Sequence, residues 1–199
     1  DVTKKYRRSF LGVLWSLLNP MMMMLITAMV FSTLFRFEIH NYALYLLIGQ
    51  VVFSFYAEST IFAMNSILEN SALLKKIYVP KFLFPVARIL SSCVNFIFTL
   101  PAIFIIMLVT GATISINTLF LVVPLVLFLL FCSGVGMVLS ACMVYFRDLG
   151  HLYGILMTAL SYATPIFYPE SIVPEQYRLL LFCNPVYYYV GMFRDVLYD

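Results

Sequence analysis

The strongest constraint on this chain is a series of apolar runs, each near the length needed to cross a bilayer, separated by short polar breaks. A spanning helix needs about 20 mostly apolar residues. Five stretches come close: 20–35, 42–64, 82–109, 119–146 and 152–167. The first is short, but it extends backward through Leu17 and Leu18 and ends at the polar break 36–41. Composition removes the alternatives. Of 199 residues, 63% are hydrophobic and 11% charged, whereas soluble domains carry about 25% charge. Long apolar runs exclude disorder, and 8 Gly, 9 Pro and 4 Cys exclude collagen-like and disulfide-built folds. The predicted class is all-α, a polytopic membrane protein made of one transmembrane domain.

Residues 168–199 are different. They are apolar but interrupted by Tyr168-Pro169-Glu170, Pro174-Glu175, Asn184-Pro185 and Arg194-Asp195, so no spanning run survives. Two short outer helices are predicted, 174–183 and 185–197, re-entrant or interfacial, with Pro174 and Pro185 placed where a helix begins. Orientation follows from the cations. Lys4, Lys5, Arg7, Arg8, Lys75, Lys76, Lys81, Arg88 and Arg147 fall on one side, and Arg36, Arg178 and Arg194 on the other. The excess puts the N-terminus, the 65–81 loop and Arg147 in the cytoplasm. An odd number of spans leaves the end of the sequence outside, so a sixth span is expected beyond Asp199. The start at Asp1 rather than Met fits an excerpt of a longer chain. The basic start runs into Trp15, Asn19 and Pro20, which is not the pattern of a cleavable signal peptide.

Cofactor chemistry finds little footing. Cys93, Cys132, Cys142 and Cys183 have no metal-ligand spacing, and His40 and His151 fall on opposite sides of the membrane, so neither a metal site nor a disulfide is predicted. No G-x-x-x-x-G-K-[ST] is present to hold ATP phosphates, so energy from ATP has to come through a partner. A nucleic-acid partner is not expected.

Several segments carry functional readings. Residues 1–19, with Arg7, Arg8 and Trp15, read as an amphipathic helix lying on the cytoplasmic surface and turning at Asn19-Pro20. An ordinary positive-inside flank is the plainer alternative. The 65–81 stretch is longer than a connection needs, and its apolar residues, including Leu73, Leu74, Ile77 and Tyr78, lack membrane partners. A short amphipathic helix docked on a cytoplasmic protein accounts for them. Arg147-Asp148 is either a second contact or a solvated helix-end pair. Glu58 is the one acid inside a predicted span and is a functional candidate on that ground; pairing with Arg88 or snorkelling is the structural alternative. Pro101 and Pro124 read as kinks, and Gly134, Gly136 and Ser140 as a surface for close helix approach. The outer segment is rich in aromatic residues, among them Tyr162, Phe167, Tyr168, Tyr187, Tyr188 and Phe193. These rings suit stacking on sugars, and equally an interfacial belt.

The order of parts then becomes recognisable. Tyr6-Arg-Arg-Ser-Phe-Leu-Gly-Val-Leu-Trp-Ser-Leu-Leu-Asn-Pro20, Leu74-Lys-Lys-Ile-Tyr-Val-Pro80-Lys81, Arg147-Asp148, Thr164-Pro-Ile-Phe-Tyr168 and Asn184-Pro185 followed by Arg194 occur in this sequence. Together they resemble the membrane subunit of type-2 ABC exporters, in the branch that exports O-antigen, capsule and teichoic acid. The resemblance covers nearly the whole chain. It implies a six-span permease of the bacterial plasma membrane, a homodimer carrying two copies of a separate ATPase that binds ATP and Mg. It also implies a lipid-linked polysaccharide as cargo. A coupling helix would run from Glu69 to Tyr78, including Lys75 and Lys76, and the outer helices of 174–197 would form a gate. ATP-driven closure would draw the coupling helices together and shift spans one and five at the dimer seam. A permease for a drug or lipid is the nearest alternative. An intramembrane glycosyl- or acyl-transfer enzyme needs convergent polar groups beyond Glu58, and a passive channel needs a polar lining ring.

Overall fold

The computed structural model describes residues 14–35, 39, 41–112 and 116–198. In chain order the helices are α1 (Leu14–Phe35), α2 (Tyr42–Glu69), the single turn α3 (Ser71–Leu74), α4 (Leu83–Thr110), a 3-10 segment Ile116–Leu121, α5 (Val122–Tyr145) and α6 (Leu149–Ala163). A 3-10 turn Glu170–Ile172, α7 (Glu175–Phe182) and α8 (Pro185–Leu197) follow. No strand occurs among the described residues. The class is that of a polytopic helical membrane protein: α2, α4 and the stretch Thr118–Tyr145 are each long and apolar enough to cross a bilayer.

Helix α2 is the axis of the bundle. It is apolar nearly all round, as a helix surrounded by others must be. In its most apolar window 67% of residues are buried, against 33% for α4 and 22% for Thr118–Tyr145. Small residues let neighbours come close. At Gly136 of α5 an added Cβ would lie 2.8 Å from Ala63 Cβ of α2 and 2.9 Å from Ile89 Cδ1 of α4, so only glycine fits the three-helix contact. Gly134 meets nothing within 4 Å and is not part of that contact. Gly136→Val is therefore expected to cost about 1–3 kcal/mol through overpacking. In detergent it should melt several degrees lower than the parent, while Gly134→Ala melts unchanged.

The helix ends are set by local chemistry. Asn41 adopts a left-handed conformation, φ 50°, and its side chain accepts from Leu44 N at the start of α2. The same side chain donates to Thr110 Oγ1 at 2.8 Å, tying the start of α2 to the end of α4. Gly111, φ 71°, ends α4 in the conformation glycine adopts without strain. Asn184 caps α8 by accepting from Val186 N, with Pro185 as first residue. Pro174 sits one residue ahead of α7 rather than inside it.

Several sequence expectations are corrected here. The elbow predicted at Asn19-Pro20 is absent: α1 is continuous and holds Pro20 inside it. One proline removes one backbone bond, which a long apolar helix tolerates. Pro124 lies in the first turn of α5, where its missing N–H had no partner to lose, and so makes no interior kink. The stretch 152–167 is not one spanning helix, because α6 has 15 residues and stops at Ala163. At 1.5 Å per residue that is too short for a hydrocarbon core of about 30 Å.

The core is aromatic. Phe55 of α2 packs on Phe96 of α4 at 4.9 Å and on Phe128 of α5 at 5.5 Å between ring centroids. Helix α8 closes this cluster with its one apolar stripe, Val186, Val190, Phe193 and Leu197, all buried. Phe193 meets Phe96 at 5.8 Å and Phe128 at 6.1 Å, and has no exposure. The expectation that Phe193 lines a path is thereby overturned: it is a core residue that anchors α8.

Candidate functional site

Two ends and one interior seam of the bundle concentrate polar chemistry. At the end bearing the starts of α2 and α5, α6 stops because Pro165 follows. A residue before proline is pushed out of the helical region, and Thr164 sits at φ −87°, ψ 132°. The chain then continues without helix, yet Thr164, Pro165 and Ile166 are buried. Buried irregular backbone needs partners for its carbonyls. They come from α2 and α8. The Tyr42 hydroxyl donates to Phe167 O at 2.6 Å, and the Tyr45 hydroxyl lies 3.1 Å from Pro165 O and 3.0 Å from Tyr168 O. Arg194 Nη1 donates to Pro165 O at 2.9 Å, and Nη2 to Tyr45 O at 3.3 Å and Ile166 O at 3.4 Å. Its guanidinium also lies 3.5 Å above the Tyr45 ring, a cation–π contact. Arg194 thus staples α2, the broken segment and α8 together. Gly49 makes room for the staple, since a Cβ there would lie 2.8 Å from Arg194 Nη2 and 3.1 Å from Ile166 Cγ2.

Beside this staple lies a cavity of about 780 Å³, lined by Tyr45, Glu170, Phe182, Tyr187, Tyr188 and Arg194 among others. Of the aromatic residues read as a path, Tyr187 and Tyr188 line it. Tyr162 is exposed, Tyr168 donates back to Tyr162 O at 2.7 Å, and Phe167 stacks on Phe31 of α1 at 5.3 Å. Tyr187 donates to Glu170 Oε2 at 2.7 Å, linking α8 to the 3-10 turn. That bond, with partial burial, pushes its hydroxyl up to about 12. The link is complete below the ordinary phenol value of 10.0 and is lost only as pH rises through about 12.

The opposite end carries the basic loop. The predicted coupling helix is not one helix: α2 runs on to Glu69, Asn70 forms a joint, α3 lasts four residues, and turns follow through Ile77. The break follows from Asn70 and Ser71, whose side chains compete for backbone bonds, and from Pro80 beyond; Asn70 Nδ2 does bond Ser66 O at 2.8 Å. Glu69 is partly exposed and pairs with Arg88 at 2.6 Å, bracing the root of the loop against α4. Lys75 and Lys76 are exposed, and Leu74 is half-buried. Leu73, Ile77 and Tyr78 are 44%, 50% and 100% exposed. Arg147 and Asp148 are exposed in the turn between α5 and α6, and the Asp148 side chain does not cap α6. Trp15 is described and half-exposed, whereas Arg7 and Arg8 lie outside the described residues.

Glu58 is not isolated. On α2, Gln50, Ser54 and Glu58 share one face at four-residue spacing, and on α4, Ser92, Asn95 and Thr99 share another. The two faces line a cavity of about 560 Å³ together with Trp15, Asn19 and Phe167. Asn95 Nδ2 donates to Glu58 Oε1 at 3.3 Å. Sequence reasoning passed over Tyr42, Tyr45, Gly49, Gln50, Ser92 and Asn95, and gave Arg194 no part in holding the fold. The helical spacing of polar residues within two apolar runs was the available signal.

Comparison with known proteins agrees with this architecture. A family profile described as ABC-2 type transporter matches residues 1–198. The chain is 28% identical over 198 residues to the O-antigen export system permease protein RfbA of Klebsiella pneumoniae, covering 98% of this chain and 76% of that one. It is 27% identical over 201 residues to the RfbA protein of Myxococcus xanthus, covering 100% and 77%. The polysialic acid transport protein KpsM of Escherichia coli is 22% identical over 200 residues, covering 99% and 78%. The chain belongs to the ABC-2 type transporter family.

Proposed function

We propose that this chain is the membrane-embedded subunit of an exporter that moves a lipid-linked polysaccharide across the bacterial plasma membrane, driven by a separate ATPase. The observation that carries the reading is likeness along almost the whole chain to permeases named for O-antigen and polysialic acid export. Two features support it. The side chains of Leu73, Lys75, Lys76, Ile77 and Tyr78 are exposed and have the right character to seat on another protein. The Tyr-lined cavity beside Arg194 has the polar-edged rings that suit sugars.

In this account ATP and Mg bind the ATPase, and the permease catalyses no bond change. The basic end, with the N-terminus, faces the cytoplasm. Two copies meet through α1 and α6, whose Met29 and Ile155 present 73% and 69% of their surface. Closure of the ATPases moves the two loops together, and Glu69–Arg88 passes the displacement to α2 and α4 as a rigid-body shift. Helices α7 and α8, the second of them stapled to α2 and the broken segment by Arg194, form the outer gate. Deleting the gene in its source bacterium should leave lipid-linked polymer inside the cell and remove it from the surface, and the wild-type gene should restore it. Undiminished surface polymer in the deletion strain contradicts the proposal.

A further inference from the structure

The outer cavity beside Arg194 has a definite balance of donors, acceptors and charge. Its lining carries three ionic side chains, Glu170, Arg194 and Asp195, beside Tyr45, Tyr187 and Tyr188. The hydroxyl donors are already committed. The Tyr45 hydroxyl lies within hydrogen-bond reach of Pro165 O and Tyr168 O, Tyr187 donates to Glu170 Oε2 at 2.7 Å, and Tyr188 donates to Phe182 O at 3.1 Å. A phenol has one hydrogen to give, so these three present only lone pairs to a ligand.

The cation is held in the same way. Arg194 donates from Nη1 and Nη2 to the carbonyls of Pro165, Tyr45 and Ile166, and the Tyr45 ring covers its guanidinium at 3.5 Å. Its Nε is buried and so does not reach the cavity. The carboxylates differ, because Glu170 and Asp195 are both exposed. Glu170 keeps a second oxygen beyond the one that Tyr187 bonds, and Asp195 makes no hydrogen bond or ion pair among the described residues.

Such a lining discriminates by charge. A sugar hydroxyl or an ammonium group donates to the carboxylates and phenol oxygens. An ionised carboxylate or phosphate on the ligand brings no hydrogen, finds the donors taken, and is repelled by two like charges. The cavity of about 780 Å³ lies within the ~300–1,000 Å³ that suits a small molecule or a short piece of a chain.

We propose that Glu170 and Asp195 make the outer cavity a charge filter, which admits polymer units that are neutral or carry an amine and turns back units that carry a carboxylate or phosphate. The filter rests on the exporter reading and narrows its cargo to neutral or amino-bearing glycans.

Two measurements test it. First, the surface polymer lost on deleting the gene in its source bacterium is hydrolysed and its repeating unit analysed. Neutral or amino sugars are expected; a repeat built on uronic or sialic acids, or joined through phosphodiesters, would overturn the filter while leaving the exporter reading intact. If no polymer is lost, the exporter reading falls and the filter with it. Second, the full-length protein, co-expressed with its ATPase and held in phosphatidylcholine nanodiscs, is titrated at low salt with N-acetylglucosamine, glucosamine and glucuronate by saturation-transfer NMR. An added Cβ at Gly191, in the cavity lining, meets nothing within 4 Å, so Gly191→Trp fills the cavity, and the signal it removes is the signal of this site. Glucuronate should bind about tenfold more weakly than the other two, the scale of a unit charge a few ångströms away near a surface. Glu170→Gln combined with Asp195→Asn should narrow the gap to about twofold, and high salt should narrow it in the parent. The amide oxygen put in by Glu170→Gln still accepts from Tyr187, so the link to α8 is kept. Glucuronate binding as tightly as the neutral sugar, a gap unchanged in the double variant, or no sugar signal sensitive to Gly191→Trp would each overturn the filter.

Discussion

Ile77→Asp combined with Tyr78→Asp is expected to strip the ATPase from the permease while leaving the permease folded. Tyr78 is fully exposed and Ile77 half so, and surface substitutions that touch nothing move stability by only about 0.5 kcal/mol. An interface sees a much larger effect. Apolar and aromatic anchors in the centre of a protein contact are each worth about 2 kcal/mol or more, so losing two weakens capture by roughly a thousandfold. Adding two carboxylates where the neighbouring Lys75 and Lys76 supply positive charge cancels the local positive field as well. The expected result is an unchanged melting temperature in detergent with no ATPase in the eluate. Equal capture by parent and variant would place the contact elsewhere, with the Arg147-Asp148 turn as the next candidate.

Arg194→Ala is expected to have the largest effect on the fold. The guanidinium donates to Pro165 O, Ile166 O and Tyr45 O and stacks on the Tyr45 ring. Its loss leaves Ile166 O without its donor in a buried segment and opens a hole where α2, α8 and residues 164–168 meet. Bonds to charged groups contribute about 1.5–3 kcal/mol each; two of the three are long, at 3.3 and 3.4 Å, so a total near 3–5 kcal/mol is expected and the melting temperature should fall by about 10 °C. Arg194→Lys keeps the charge without the planar fork, and should recover only part of the loss. Gly49→Ala should act at the same place and more weakly, by pressing a Cβ on Nη2. An Arg194→Ala protein as stable as the parent would show that the broken segment holds itself.

How much of this was legible in the sequence depends on which signal each element uses. Apolar runs bounded by polar breaks are governed by backbone satisfaction in lipid, and α2 and α4 occupy those runs closely. Helix α8 spans 185–197 because Asn184-Pro185 is a strong start signal that needs no tertiary context. Helix α6 was misread because hydropathy continues smoothly past Thr164, and only the proline rule marks the stop. The Glu69–Tyr78 helix was misread because an amphipathic pattern does not reveal that Asn70 and Ser71 favour a joint over continuation. Phe193 was placed on a path because aromatic content cannot distinguish a ring facing a cavity from one facing the core. At the sites, Glu58 stood out as a charge, but Gln50 and Asn95 are neutral and blend into apolar runs. Their role appears only when α2 and α4 are placed side by side, as does that of Arg194, whose partners are 28 to 149 residues away in sequence.

The central claim is that this chain is a permease energised by a second protein that grips its basic loop. The most direct test is to purify the full-length tagged protein with the cell's ABC ATPases co-expressed, and to measure the mass and composition of the eluted particle. The account predicts permease and ATPase in equal amount, in a particle holding two of each, with ATP hydrolysis present only while the loop from Leu73 to Tyr78 is intact. A stable permease that elutes with no ATPase under conditions that preserve its fold would contradict it.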